Sequence, residues 1–371
     1  MKIIIAGGGT GGHLFPGLAV AEEFLHRSEA TDRPMRKNDI VFVGTERGIE
    51  ARAVPREAYP LKLVRARGMA GKSPAEKVKA GLVMFATLYD SFRILKQVRP
   101  DIVIGVGGYA SAGMVAAAHL KGIPTMVLEQ NSVPGFANRS LGRFVDAVAV
   151  TYQESISFFP PEKTYLTGNP VRKKILSPDY DTAYSVFPLQ KGMFTVFVFG
   201  GSLGAKSINR AMTDALHYLL DLRQNIQFLH QTGERDHEAV KEAYRGMGFT
   251  GIVAPFIDRM AEAYALADIV VCRAGATTLS EVTAIGKPAV LIPYPFAASN
   301  HQEHNAGKLE DMGAAKTIRD RELSGEVLAE TIRELYSNER RRKEMQKAAV
   351  AFGRVDAAEK VVDIALSLMK K

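Results

Sequence analysis

Short, unbroken apolar runs recur along the chain, and each is followed by a stretch whose apolar residues return every three or four positions. Ile3–Ala6, Ile40–Val43, Ile102–Val106, Thr125–Leu128 and Ala147–Val150 are runs of the first kind. Unbroken apolarity, rather than alternation, marks a strand covered on both faces, as in a parallel sheet packed between helices. After Thr167-Gly168-Asn169-Pro170 the pattern restarts with Phe194–Phe199, Ile226–His230, Gly251–Ala254, Ile269–Cys272 and Ala289–Ile292. The stretch after Phe199 sets Ile208, Met212, Ala215, Leu216 and Leu219 on one helical face. Strands alternating with helices predict an α/β architecture with parallel sheets.

The 371 residues are too many for one ordinary core. A stretch rich in proline and turn residues, Phe159-Pro160-Pro161 to Ser177-Pro178-Asp179, lies between the two sets of strands. Both sets also open alike. Lys2–Ala6 runs into Gly7-Gly8-Gly9-Thr10-Gly11-Gly12, and Phe194–Phe199 runs into Gly200-Gly201-Ser202-Leu203-Gly204-Ala205. This echo predicts two Rossmann-like domains, 1–168 and 169–355, facing a central cleft that would hold a ligand. A C-terminal helix over 356–371 is free to pack back on the first.

Apolar content of 46% with 24% charged residues excludes a disordered chain. The lone Cys272 cannot build a disulfide framework or a zinc site, and it lies in the apolar run Ile269–Cys272, so a small core residue in a reducing compartment is expected. Met1–Ile5 runs straight into glycines, unlike a signal peptide. The uncharged stretch Ala80–Tyr89 is far short of the roughly 20 residues of a spanning helix, so no membrane crossing is expected.

The net charge of +8 is concentrated. Between Leu61 and Arg99 stand nine basic residues against Glu76 and Asp90, an excess of +7. Within that segment Val78, Leu82, Phe85, Leu88, Tyr89, Phe92 and Leu95 recur at helical spacing, flanked by Lys72, Lys77, Lys79, Arg93 and Lys96. A cationic patch can meet nucleic acid, anionic lipid or a polyanionic substrate. The chain carries no helix-turn-helix, RNA-binding signature or zinc finger, so nucleic acid is not an expected partner. An apolar stripe rimmed by cations suits an anionic membrane surface.

Gly7, Gly9 and Gly12 fit the G-x-G-x-x-G spacing that lets a backbone approach a phosphate at a helix N-terminus. A dinucleotide-dependent oxidoreductase is the obvious rival reading. Against it, the loop continues into His13, the acidic residue expected about 20 positions on is met only loosely by Glu46, and a second glycine loop has no use there. A further cluster, Gly105-Val106-Gly107-Gly108-Tyr109, follows the strand Ile102–Ile104; it serves equally an acceptor diphosphate or close packing of the alanine-rich helix after it. In Cys272-Arg273-Ala274-Gly275-Ala276-Thr277-Thr278-Leu279-Ser280-Glu281 a strand ends and a helix begins near Thr277 or Thr278. Its exposed amides suit a diphosphate, and Glu281 one turn on suits ribose hydroxyls; an ordinary capped helix is the alternative. Asp179-Tyr180-Asp181 has the D-x-D form of a metal motif but lies in the linker, where a turn is expected. His301-Gln302-Glu303-His304 lacks the H-E-x-x-H spacing, and no metal is expected.

In order along the chain stand Gly-Gly-Thr-Gly-Gly-His-x-x-Pro from Gly8, Glu129-Gln130-Asn131, Gly168-Asn169-Pro170-Val171-Arg172, Gly200-Gly201-Ser202-x-Gly-Ala, Cys272 to Glu281, and Gln302 near Asn305-Ala306. This set resembles the MurG family, which transfers N-acetylglucosamine from UDP-N-acetylglucosamine to the undecaprenyl-linked muramyl-pentapeptide of peptidoglycan synthesis. The resemblance implies a GT-B fold with no cofactor, an acceptor- and membrane-binding first domain, a UDP-sugar-binding second domain, and a place at the cytoplasmic face of the cell membrane. Carried over by motif, donor contacts fall on Thr10, Gly11, Gly12, Asn131, Arg172, Ser202, Ile257, Ala276, Thr277, Thr278, Leu279, Ser280, Glu281 and Gln302. Gly107, Gly108 and Tyr109 are candidates for the acceptor diphosphate, and His13 is the candidate base. Pro295-Phe296-Ala297-Ala298-Ser299 departs from the family in lacking the polar residues associated with its loop before Gln302. A GT-B transferase acting on a diacylglycerol lipid, and a nucleotide-binding module without turnover, are the alternatives.

Overall fold

In the computed structural model the chain is described over residues 1–66, 74–297 and 300–370, with the side chains of 74–82 left out. It divides into two compact units, residues 1–172 with 354–371, and residues 173–353.

The first unit contains β1 (Ile3–Ala6), α1 (Gly11–Ser28), β2 (Ile40–Gly44), α2 (Glu50–Arg56), β3 (Leu61–Leu63), α3 (Pro74–Val98), β4 (Ile102–Gly105), α4 (Tyr109–Leu120), β5 (Thr125–Glu129), α5 (Phe136–Leu141), β6 (Ala147–Val150) and β7 (Thr164–Leu166). The second runs α6 (Lys173–Leu176), α7 (Tyr180–Val186), β8 (Phe194–Phe199), α8 (Lys206–Tyr218), β9 (Ile226–Gln231), α9 (His237–Gly246), β10 (Gly251–Ala254), α10 (Met260–Leu266) and β11 (Ile269–Cys272). It ends with α11 (Ala276–Ala284), β12 (Ala289–Leu291), α12 (His301–Asp311), β13 (Ala315–Thr317), α13 (Gly325–Ser337) and α14 (Glu339–Phe352). The last helix, α15 (Ala357–Met369), returns to the first unit, where Val361, Val362 and Ala365 join the core formed with Leu14, Leu18 and Ala21 of α1.

Both sheets are parallel throughout their pairings, ordered β3-β2-β1-β4-β5-β6-β7 and β10-β9-β8-β11-β12-β13. Each central strand is buried along its whole length, as the unbroken apolar runs predict. In each sheet the chain reverses its direction of winding beside the first strand, so β1 lies between β2 and β4, and β8 between β9 and β11. A sheet of this kind opens a crevice at the carboxyl ends of the strands flanking that point. The two glycine loops that echo each other in the sequence leave β1 and β8 at those positions.

Helix α3 shows how a broad apolar stripe is shared. Leu95 is buried, and Leu88 and Phe92 pack partly buried against the same core. Gly113 of α4 brings the two helices together, since a Cβ there would sit 2.5 Å from Thr87 Cγ2. Phe85 and Tyr89 point outward, 73% and 66% exposed. The side chains of Lys72, Lys77, Val78, Lys79 and Leu82 lie outside the described residues. Among the described residues no helix is long and apolar enough to cross a membrane.

Candidate active site

The loop leaving β1 is built around a buried carboxylate that the sequence motifs do not reveal. Glu50, at the start of α2, accepts hydrogen bonds from Gly9 N–H at 2.7 Å, from Thr45 N–H at 2.8 Å and from the Thr45 hydroxyl at 2.9 Å. Three glycines make room for it: a Cβ on Gly8, Gly44 or Gly48 would lie 2.0–2.4 Å from its side chain. The Gly9 amide is therefore already answered by an internal anion. The loop is a strut-held turn, unlike the open phosphate cradle that the G-x-G-x-x-G spacing alone would suggest.

His13 lies in the first turn of α1. Its Nδ1 is 3.3 Å from the Gly8 carbonyl and 3.5 Å from the Thr10 hydroxyl. The ring rests on the second glycine loop, where a Cβ on Gly107 would lie 2.5 Å from His13 Cδ2. Gly107 and Gly108 have φ of 103° and 84°, and a Cβ on Gly108 would meet the Gly8 carbonyl at 2.9 Å. Glycine is thus required here for conformation and for contact between the two loops. The structure brings Thr10, Gly11, Gly12, His13, Gly107 and Gly108 together at the ends of β1 and β4, with Tyr109 half-exposed at the start of α4.

Two further motifs complete this end of the unit. Arg172 is buried, and its guanidinium stacks over the Phe15 ring at 4.3 Å; Phe15 in turn covers Gly11. In Glu129-Gln130-Asn131 the first two residues are spent internally. Glu129 accepts from Asn131 N–H, Asn131 Nδ2, Gly135 N–H and Asn138 Nδ2, and Gln130 Nε2 donates to the Val106 carbonyl at 3.0 Å. Burial raises the Glu129 pKa above the ordinary carboxylate value, and the hydrogen bonds only partly oppose it. Asn131 remains half-buried at the loop surface.

In the second unit α11 begins at Ala276, one or two residues before the sequence places it. Gly275, at the N-cap, has no side chain of its own to cap the helix, and no acidic residue stands in the first turn. The positive end of the helix dipole is therefore not offset by its own sequence. Thr278 and Ser280 are half-buried, whereas Ala276 and Thr277 are nearly covered and Leu279 belongs to the core, so Leu279 offers a ligand its backbone alone. Glu281 is 5% exposed and accepts from the Tyr264 hydroxyl at 3.0 Å, which fixes its carboxylate one turn beyond the helix start.

Arg273 ties the surrounding loops together. Its Nη1 donates to the carbonyls of Ile292 and Pro293 and to Asp320 Oδ1 at 2.6 Å, and its Nη2 donates to the Ser207 hydroxyl at 2.8 Å. Gln302, at the start of α12, accepts from Tyr294 N–H at 2.9 Å through its Oε1. Ser202 is exposed on the loop after β8, and Ile257 is buried after β10. The first metal decoy is a helix cap: Asp179 Oδ1 accepts from Asp181 N–H and Thr182 N–H at the start of α7. Among the described residues no three His, Cys, Asp or Glu side chains converge as a metal set would.

Family models match this chain as the glycosyltransferase family 28 N-terminal domain over residues 3–150 and the glycosyltransferase family 28 C-terminal domain over 195–361. A protein of Thermodesulfovibrio yellowstonii named UDP-N-acetylglucosamine–N-acetylmuramyl-(pentapeptide) pyrophosphoryl-undecaprenol N-acetylglucosamine transferase is 50% identical, with the whole of both chains covered. A Myxococcus xanthus protein of the same name is 50% identical over 369 residues, covering 100% of this chain and 93% of the other. The crystal structure of Acinetobacter baumannii MurG superposes with a TM-score of 0.72 at 30% identity, covering 99% of this chain and 100% of that one. UDP-GlcNAc 2-epimerase from Neisseria meningitidis, bound to UDP-GlcNAc, superposes at 0.69 with 12% identity over 99% and 100% of the chains, a likeness of fold alone. Two parallel-sheet α/β units in one chain, matched over their full length by these structures, make the fold GT-B.

Proposed function

The chain belongs to the MurG family within glycosyltransferase family 28, and from that premise we propose that it moves N-acetylglucosamine from UDP-N-acetylglucosamine to the 4-hydroxyl of the undecaprenyl-linked muramyl-pentapeptide in peptidoglycan synthesis. The observation that carries this reading is 50% identity over the whole of both chains to a protein named for that transfer. The arrangement of the motif residues supports it, since all of them follow the carboxyl ends of parallel strands, those of β1, β4, β5 and β7 in one unit and of β8, β10, β11 and β12 in the other.

The reaction is a direct displacement. The acceptor hydroxyl attacks C1 of the sugar, UDP leaves, and the anomeric centre inverts. It needs a base for the hydroxyl proton and positive potential for the departing diphosphate. The base is His13, whose ring is braced by Gly8 and Gly107. The potential comes from Arg172 and from the uncapped start of α11, so no metal is required. Gly107, Gly108 and Tyr109 take the acceptor diphosphate. Thr10, Gly11, Gly12, Asn131, Ser202, Ile257 and Ala276–Glu281 meet the donor, with Glu281 on the ribose hydroxyls and Gln302 near the sugar. The first unit is the acceptor domain and docks on an anionic membrane at its cytoplasmic face through the exposed side of α3.

Incubation of the purified chain with UDP-N-acetylglucosamine and a lipid-linked muramyl acceptor, followed by thin-layer chromatography, tests the whole reading. A new lipid-linked disaccharide is expected. Transfer to diacylglycerol instead, or donor binding with transfer to neither lipid, would point to the two alternatives.

A further inference from the structure

The carboxyl end of β9 joins two loops that the sequence motifs treat separately. Gln231 is 3% exposed, and its side-chain amide is used on both sides. Nε2 donates to the Gly201 carbonyl at 2.9 Å, and Oε1 accepts from Ile257 N–H at 2.7 Å. The next two residues extend the junction: Thr232 N–H and Gly233 N–H donate to the carbonyls of Ala254 and Pro255, each at 3.0 Å. On the other side the backbones touch. A Cβ on Gly204 would lie 1.9 Å from the Thr232 carbonyl oxygen, and one on Gly233 would lie 2.3 Å from that of Leu203. The loop bearing Ser202 and the segment bearing Ile257 are thereby pinned to one point, and Gln231 is the side chain that spans them.

We infer that Gln231 is a positioning residue for the nucleotide: it holds the Ser202 loop and the Ile257 backbone in the arrangement that receives the UDP half of the donor. This rests on the reading above that Ser202 and Ile257 meet the donor. A primary amide suits the position because it presents one donor and one acceptor at its tip. An ionised glutamate keeps the acceptor and loses the donor; methionine fills similar space and loses both. With the clamp in place the nucleotide meets a preformed surface, and binding does not have to order two segments. Both ends of the Gln231 amide are spent on the protein backbone, so its effect falls on donor affinity and leaves the chemical step alone.

The test uses the full chain and UDP. Calorimetric titration of the parent comes first; a parent that binds no UDP would remove the donor reading on which the inference rests. Given binding by the parent, Gln231→Met is expected to weaken UDP about tenfold, the effect of losing two ordinary hydrogen bonds. The KM for UDP-N-acetylglucosamine should rise in step, while kcat at saturating donor stays within about threefold and the acceptor KM does not move. UDP binding equal to the parent's, or a loss confined to kcat, overturns the inference and leaves the donor reading standing. Hydrogen exchange gives a second readout that no folding failure can remove. In the ligand-free parent the Ile257 amide should exchange slowly, because it is buried and hydrogen-bonded. It should stay slow in Gln231→Glu and become fast in Gln231→Met. Exchange in the parent at the rate of an open loop overturns the clamp.

Discussion

At the scale of single residues, the proposed chemistry rests on Glu281 and His13, and the loop that carries His13 rests on Glu50. Glu281 presents a carboxylate held by Tyr264 where a ribose is proposed to lie. Glu281→Ala should weaken donor binding by about 1.5–3 kcal/mol, the range for hydrogen bonds to a charged group, with acceptor affinity unchanged. An unaltered donor KM in the folded variant would remove it from the site. A general base contributes typically 10²–10⁴-fold, so His13→Ala should lower kcat by about that factor with UDP binding intact. A loss under about tenfold would leave His13 as a brace between the glycine loops, the role its contacts with Gly8 and Gly107 already give it. Glu50 is the counterpart that sequence reading missed. In Glu50→Gln the new NH2 would face either Gly9 N–H or Thr45 N–H, because these donors bond to different carboxylate oxygens, and an unpaired buried group costs roughly 1–3 kcal/mol. The melting midpoint should fall while UDP affinity persists; an unchanged midpoint would show that the loop does not depend on this strut. Motifs name residues that can face a ligand. Glu50 and Gln231 face the motif from behind, and a single acidic residue in a short helix or a glutamine closing an apolar strand carries no spacing that announces such a role.

Among the elements, legibility followed burial. The ten strands read from the sequence are mostly apolar runs, and the structure has all ten within a residue or so of those bounds. The three that went unread, β3, β7 and β13, are three-residue edge strands, and their mixed burial leaves no apolar run to find. The loops at the strand ends were legible by their glycines, but which neighbour each glycine admits depends on contacts distant in sequence. Strand β9 adds a consequence for stability. His230 is fully buried between Tyr244 and Asn209, with Nδ1 3.2 Å from the tyrosine hydroxyl and Nε2 3.1 Å from Asn209 Oδ1. Burial lowers its pKa from 6.5 to about 3. The folded state thus refuses a proton that the unfolded chain accepts, so its contribution is complete above pH 6.5 and is lost as pH falls from there towards 3. At pH 5 the loss from this one group should be about 2 kcal/mol. Urea unfolding of the second unit's transition from pH 7 to 5 measures it. In His230→Gln, whose amide can still partner Tyr244 and Asn209, that part of the slope should vanish; an unchanged slope would assign the acid sensitivity elsewhere.

At the scale of the whole molecule, a chain with no spanning helix among its described residues must reach an acceptor that is anchored in lipid. The chain's net charge of +8 is almost all accounted for by the +7 between Leu61 and Arg99. The described side chains of that segment divide by face. Leu88, Phe92 and Leu95 pack inward, Arg65 is paired with Asp90 at 2.8 Å, and Phe85 and Tyr89 stand outward one turn apart. Two large exposed rings so spaced on a helix are a costly surface in water and a favourable one at the headgroup boundary, where aromatic side chains settle. Each nearby lysine or arginine adds about 1 kcal/mol with anionic lipid. The attraction is screened over about 10 Å at 0.1 M salt, so binding to anionic vesicles should fall steeply as salt rises. The apolar and cationic parts can then be separated. Phe85→Ser with Tyr89→Ser should weaken vesicle binding and leave its salt dependence in place, because the charges remain. Replacing Lys72, Lys77 and Lys79 with glutamate should weaken binding and flatten the salt dependence. Neither set should change UDP affinity, which on the proposed reading belongs to other elements of the chain. Vesicle flotation across a salt series decides between them: if both sets of variants float like the parent, α3 is an ordinary solvated helix and the membrane contact lies on another face.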